Sequence, residues 1–312
     1  EILYLLMCGT GVGFAVEQNN VQQLPQIKKQ NNKKISQHVI EDNKEGWADA
    51  LLMGLEAWFD GRDIEFDYSQ LRPAGARLRT MGGRSSGPGP LRDLLDFARR
   101  KILAKQGRRL SCLDVHDIIC KEGEVVVMGG VRRSALISLS DLDDPEMRDA
   151  KVGQFYLKEP QRMMANNSAV YESKPAATQF LDEWISLAKA GTGERGIFNR
   201  GGIMSQIPER RRKMLEEHLE MVGSNPCGEI LLRSKEFCNL TEVVARAEDT
   251  EETLLAKTRL AAILGTYQST LTDFKYLSKE WKKNCEEERL LGVSITGQWD
   301  CPAVRNPETL RR

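Results

Sequence analysis

An α/β fold is predicted by two features: amphipathic helical stretches alternate with short apolar runs of strand type, and no repeat or low-complexity tract interrupts them. Hydrophobic residues at 40% and charged residues at 29% of the 312 positions allow a sizeable core. Ile2 to Met7 reads as the end of an apolar helix, broken by the glycine turn CGTGVGF. Residues 28 to 44, rich in Lys, Asn and Gln, read as a solvated loop. Gly46 to Phe59 has helical spacing through Trp47, Leu51, Leu55 and Trp58, and DIEFDYS alternates like a strand. LRPAGARLRTMGGRSSGPGP mixes Gly, Pro and Arg and predicts irregular structure.

Leu91 to Lys105 places Leu91, Leu94, Leu95, Ala98 and Ile102 on one helix face. Leu113 to Met128 predicts a second helix, stopped by Gly129-Gly130. ALISLS and NSAVY are strand candidates; Phe180 to Ala190 and Glu209 to Val222 are helical. Asp249 to Glu252 resembles a capping box that opens a helix running to about Tyr267, and LLGVSIT is of buried-strand type. No linker divides the chain, so one domain over 1–312 is expected.

Lys+Arg 45 balances Asp+Glu 45, which argues against a broad nucleic-acid or membrane-surface role. No apolar run is long enough to span a bilayer. Seven cysteines in a chain this long do not make a disulfide scaffold, and an odd count fits a reducing cytoplasm. The chain starts at Glu1 inside a helical pattern and is expected to be an internal piece of a longer protein. No C-x-x-C pair exists, so structural zinc is not expected.

Several stretches carry chemistry. CGTGVGF lacks the third glycine of a dinucleotide fingerprint, because Phe14 stands there, and it follows a helix. GRSSGPGP lacks the Lys-Ser/Thr of a phosphate loop. GGVRRSA puts Arg132 and Arg133 on a flexible loop, where guanidinium forks suit phosphate or carboxylate; a solvated turn is the plain alternative. In SNPCGEILLRSKEFCNL, Cys227 stands between Pro226 and Gly228, with Glu229 two places on and Cys238 downstream. Proline fixes the approach, glycine lets the chain turn away, and a nearby carboxylate can act as a base. Cys238 can deliver reducing equivalents. Two buried loop thiols are the plain alternative. Cys112, Cys120, Cys285 and Cys301 are expected to be packing residues.

Asn225-Pro226-Cys227-Gly228-Glu229-Ile230 resembles the finger loop of ribonucleotide reductase catalytic chains, in the form of the adenosylcobalamin-dependent class II enzymes. GTGVGF, KEGW, RPAGARLRTMGGRSSGPGPL, GGVRRSA, ANNSAV, PCGEI with CNL, and ERLLGVSITG follow in that family's order, closest to its monomeric triphosphate-reducing branch. The resemblance implies a ten-stranded α/β barrel with a central cysteine finger loop, here in part, with an effector-loop region at about 62–140 and the finger loop at about 223–240. It implies that Cys227 becomes a thiyl radical, that Glu229 takes the 3′-hydroxyl proton and that Asn225 bonds the ribose hydroxyls. Cys238 matches one member of the redox pair, whose partner is expected upstream of CGTGVGF; Cys8 is not in the matching place. Arg132, Arg133, Arg72 and Arg79 match effector-binding positions.

The implied cofactor is adenosylcobalamin. The implied partners are a ribonucleoside di- or triphosphate, a deoxynucleotide effector and a thioredoxin-like reductant. DVHDII has Ile119 where a cobalamin-ligating motif needs glycine, so His116 is expected to be an ordinary helix residue. A desolvated Glu229 with a raised pKa is expected. The chain by itself is expected to be inactive. A non-catalytic nucleotide-binding remnant or split subunit, and a plain thiol–disulfide protein, are the alternatives.

Overall fold

The computed structural model describes residues 1–31, 36–78, 83–128 and 135–311. They form two compact units, Glu1–Leu231 and Leu232–Arg312. The finger-loop region at 223–240, read from sequence as part of one domain, has residues in both.

The first unit is built on a four-stranded parallel sheet in the order β1, β4, β5, β6. Strand β1 is Val12–Ala15, β4 is Leu136–Asp141, β5 is Ala165–Val170 and β6 is Gly196–Phe198. A separate parallel pair joins β2 (Ser36–Val39) to β3 (Ile64–Asp67). Parallel neighbours need crossovers: α2 (Lys44–Phe59) joins β2 to β3, α3 (Gly89–Leu103) and α4 (Cys112–Met128) lie between β3 and β4, and α5 (Ala177–Ala190) joins β5 to β6, while α1 (Ile2–Met7) precedes β1. Among the described residues the largest sheet has four strands, where the family resemblance implies ten.

Period-2 alternation gives the sheet two faces. Registers Val12–Leu136 and Leu136–Ala165 put Val12, Phe14, Leu136 and Ser138 on the α4 side. There His116 is fully buried, bonded through Nδ1 to Ser138 Oγ at 3.0 Å, with its ring tilted against Phe14. Burial pushes its imidazole down to about 3, so it is a neutral packing residue, as its helical setting predicts. The opposite face carries Gly11, Gly13, Ala15, Ile137, Leu139 and Asn166, by the same registers.

Helix α3 buries the face its spacing predicts: Leu91, Leu94, Leu95, Ala98 and Ile102 are all at most 2% exposed. Helix α2 begins at Asn43, whose Oδ1 accepts the Gly46 N–H, and it packs through Ala48, Ala50, Leu51, Gly54, Ala57 and Trp58. The charged helix expected over 209–222 stops early: the α-helix is Glu209–Leu215, with a tight turn at Leu219–Met221. Within Glu209–Leu215 the first turn holds Glu209 and the last holds Arg212 and Lys213, which complement the helix dipole, whereas a helix running on to Val222 would put Glu220 in its last turn.

Glu122 on α4 is buried, with one carboxylate oxygen lacking a hydrogen-bond partner. Burial raises it to about 8, against an ordinary 4.5. A raised folded pKa contributes stability below the unfolded value that is lost as pH rises through the folded one. The melting temperature of the wild type should therefore fall, relative to Glu122→Gln, as pH rises from 4.5 toward 8; parallel curves would contradict this.

In the second unit, β7 (Asn239–Val244) pairs in parallel with β8 (Leu291–Thr296). Helices α6 (Glu251–Ser269) and α7 (Lys279–Glu288) lie between them in sequence. The helix start expected near Asp249 is capped by Thr250 and Thr253, which exchange side-chain and backbone bonds. Strand β8 is exposed or half-buried at every position rather than buried on both faces. Ala245, Leu254, Cys301 and Val304 form its core. No helix among the described residues is long and apolar enough to cross a membrane.

Candidate active site: a cysteine loop laid on the glycine face of the sheet

Three motifs that are far apart in sequence meet in the first unit. The segment Ser224–Pro226 runs over the sheet face that Gly11 and Gly13 leave bare. A Cβ on Gly13 would stand 2.0 Å from the Ser224 carbonyl oxygen, and one on Gly11 would stand 3.0 Å from Pro226 Cγ. CGTGVGF is thus a turn leading into a strand that is apolar on its α4 side and empty on the other. Asn166, from ANNSAV on β5, donates through Nδ2 to the Pro226 carbonyl at 3.2 Å. That carbonyl belongs to the peptide joining Pro226 to Cys227.

The loop closes on itself. Asn225 N–H donates to the Ile230 carbonyl at 3.2 Å, Ile230 N–H donates to Asn225 Oδ1 at 3.0 Å, and Gly228 N–H donates to the Asn225 carbonyl at 3.0 Å. Gly228 has φ +84°, a left-handed conformation in which a side chain is strained, and nothing lies within 4 Å of where its Cβ would be. Cys227 and Glu229 are exposed at the tip, while Ser224 and Asn225 are buried at its base.

Both stems are held by arginines. Arg200, 2% exposed, donates through Nε to the Val222 carbonyl at 3.1 Å and pairs with Glu17 at 2.7 and 2.8 Å. Arg211 donates to the Leu231 carbonyl at 3.0 Å. Val222 and Leu231 share one apolar cluster with Ile203, Ile207 and Leu215.

The sequence-predicted residues fare differently. Cys227, Asn225 and Glu229 come together on one closed loop. Asn225 spends its Oδ1 inside the loop, which leaves Nδ2 as the donor it can offer outward. Glu229 is exposed rather than desolvated, because none of the described residues of this unit covers it. Cys238 is half-buried in the second unit. Cys8 caps α1 and accepts from Lys44 Nζ at 3.2 Å. Arg72 is held by Asp42, its Nε 2.8 and 3.0 Å from the two carboxylate oxygens and its Nη2 3.2 Å from the Asp42 carbonyl. Arg79, Arg132 and Arg133 lie outside the described residues. Sequence reasoning missed Gly11, Gly13, Asn166 and Arg200 as loop supports. The Gly-x-Gly period of two was the available signal for the first pair.

Asn166→Leu should lower turnover of the intact protein about tenfold while costing only about 1 kcal/mol of stability, the worth of one hydrogen bond. Unchanged turnover in a steady-state assay would remove Asn166 from the positioning of Cys227.

No protein-family model matches the chain. It is 31% identical over 266 residues to an adenosylcobalamin-dependent ribonucleoside-triphosphate reductase of Euglena gracilis, covering 83% of this chain and 35% of that protein. It is 30% identical over 339 residues to the protein of that name from Lacticaseibacillus paracasei, covering 95% of this chain and 44% of that one. The chain thus spans less than half the length of these relatives. A crystal structure of a B12-dependent, class II ribonucleotide reductase superposes with TM-score 0.73 at 24% identity, over 96% of this chain and 45% of that one. That likeness shows the shared fold.

Proposed function

We propose, from the premise that this chain is homologous to adenosylcobalamin-dependent ribonucleoside-triphosphate reductases along most of its length, that it carries the radical-thiol centre of a ribonucleotide reductase. The carrying observation is the exposed Cys227, held on a closed loop that Gly11, Gly13 and Asn166 seat on a parallel sheet. We read that sheet as part of the barrel implied by the resemblance.

In this reading Cys227, as a thiyl, takes the hydrogen from the ribose 3′ carbon. Glu229 takes the 3′-hydroxyl proton and Asn225 Nδ2 donates to a ribose hydroxyl. The 2′-hydroxyl then leaves as water. Cys238 and a second thiol supply two electrons and become a disulfide, which a thioredoxin-like dithiol protein reduces. Glu229 gains the desolvation this role needs when substrate covers the loop tip.

Adenosylcobalamin, when bound, supplies the one-electron oxidation that makes a thiol a thiyl. Cys227 fits as the thiol facing it, with open space beside Gly228. His116 does not fit as a ligand to its metal, since it is fully buried between Ser138 and Cys120. A deoxynucleotide effector would meet the loop bearing Arg132 and Arg133 and the segment from Arg72 to Arg79. There Arg72 meets a phosphate only in competition with Asp42. The setting is the reducing cytoplasm, which keeps such thiols reduced.

The test is an assay of the intact protein with adenosylcobalamin, a ribonucleoside triphosphate and a dithiol reductant. Deoxynucleotide formation supports the reading. Nucleotide binding without product would instead support a non-catalytic remnant.

A further inference from the structure

We propose that Cys238 and Cys285 form a thiol–disulfide site within the second unit, closed by exchange with a low-molecular-weight disulfide and opened by a dithiol. The proposal deepens the reading of Cys238 as a redox thiol and rests on it.

Phe237 N–H donates to Cys285 Sγ at 3.3 Å, which sets that sulfur against the backbone leading into Cys238. The two segments are stapled along their lengths. Arg233 Nη2 donates to the Asn284 carbonyl at 2.9 Å, and Asn284 Nδ2 donates to the Ser234 carbonyl at 2.8 Å. Beyond the cysteines, Asn239 N–H and Nδ2 both donate to the Leu290 carbonyl, at 2.9 and 3.1 Å. Phe237 also packs on Trp281, one helical turn before Cys285, with ring centroids 4.6 Å apart. The segment that carries Cys238 is therefore held against the segment that carries Cys285 on both sides of each cysteine.

The two thiols differ in access. Cys285 is 6% exposed, whereas Cys238 is half-buried, so a reagent from water meets Cys238 first. Burial raises the Cys285 thiol, opposed by the Phe237 N–H and the Arg233 guanidinium and reinforced by the charges of Glu236 and, least, Cys238.

The exchange balances with oxidised glutathione. The Cys238 thiolate attacks one glutathione sulfur and expels one glutathione thiolate. Cys285, losing its proton, then attacks the Cys238 sulfur of the mixed disulfide and expels the second. Two protein thiols are oxidised, one disulfide is reduced to two thiols, and the protons pass to solvent. While the bond persists, Cys238 cannot serve substrate reduction.

The full chain is treated with oxidised glutathione, quenched in acid, digested without reductant and analysed by mass spectrometry. The expected result is a peptide pair joined through Cys238 and Cys285, with two thiols lost per chain. In Cys285→Ser, glutathione should remain on Cys238 as a stable mixed disulfide. The wild-type measurement stands even if that variant does not fold. Glutathione stably retained on wild-type Cys238, or Cys238 joined to Cys227, would overturn the proposal while leaving Cys238 a redox thiol. A Cys238 that takes up no glutathione would overturn both.

Discussion

Cys227→Ser in the intact protein should abolish deoxynucleotide formation, with a loss of about 10⁴-fold or more, as for removal of other essential reacting groups. A serine O–H bond is too strong to be opened in place of the thiol S–H, so in the proposed reading the substitution removes the hydrogen-abstracting group itself. The fold should be untouched. Cys227 is exposed at the loop tip, and surface changes away from packed or bonded features stay within about 0.5 kcal/mol. The loop closes through the backbone and Asn225, not through the thiol. Denaturant curves that coincide, beside activity that vanishes, are the expected pair of results. Surviving activity would assign the chemistry elsewhere.

Arg200→Met should cost about 3–5 kcal/mol, the usual cost of stranding one partner of a buried ion pair. Glu17, only 8% exposed, would lose both of its bonds to the guanidinium, and the Val222 carbonyl would lose its donor. Glu17 follows β1 and Val222 precedes the cysteine loop, so the damage falls on the junction that seats the loop. Adding Glu17→Gln should recover part of the loss, because a neutral amide is less costly to bury than a charge. Urea denaturation of the single and double variants measures this. Additive losses would show that Arg200 acts through Val222 and Glu172 instead.

Helices with a broad apolar face were legible in the sequence. Helix α3 buries the five residues its spacing names, because leucine stripes at that period have one way to leave water. Helix Glu209–Leu215 was overread, since the apolar spacing through Leu215, Leu219 and Val222 continues past its end into one buried cluster. Helix α7 and strand β7 were not foreseen. The first is mostly charged, with only Cys285 and Glu288 buried, and the second is half-exposed.

The candidate site was legible in part. The tip residues follow from the local chemistry of Pro-Cys-Gly-Glu. The supports do not, because a glycine kept for a backbone 211 residues away leaves no local trace beyond its alternation with Val12 and Phe14. Gly13→Ala illustrates this: its Cβ would overlap the Ser224 carbonyl, which cannot move without carrying Cys227 with it. The pairing of Phe237 with Cys285 is likewise tertiary, and nothing near Cys238 in sequence signals it.

The most direct measurement uses the intact protein with adenosylcobalamin, a dithiol and a mixture of 3′-protio and 3′-deuterio ribonucleoside triphosphate, sampled at low conversion. Hydrogen abstraction by the Cys227 thiyl predicts deoxynucleotide enriched in the protio form relative to the starting mixture. Product whose isotopic composition matches the starting mixture would contradict abstraction at the 3′ carbon, and with it the role given to Cys227.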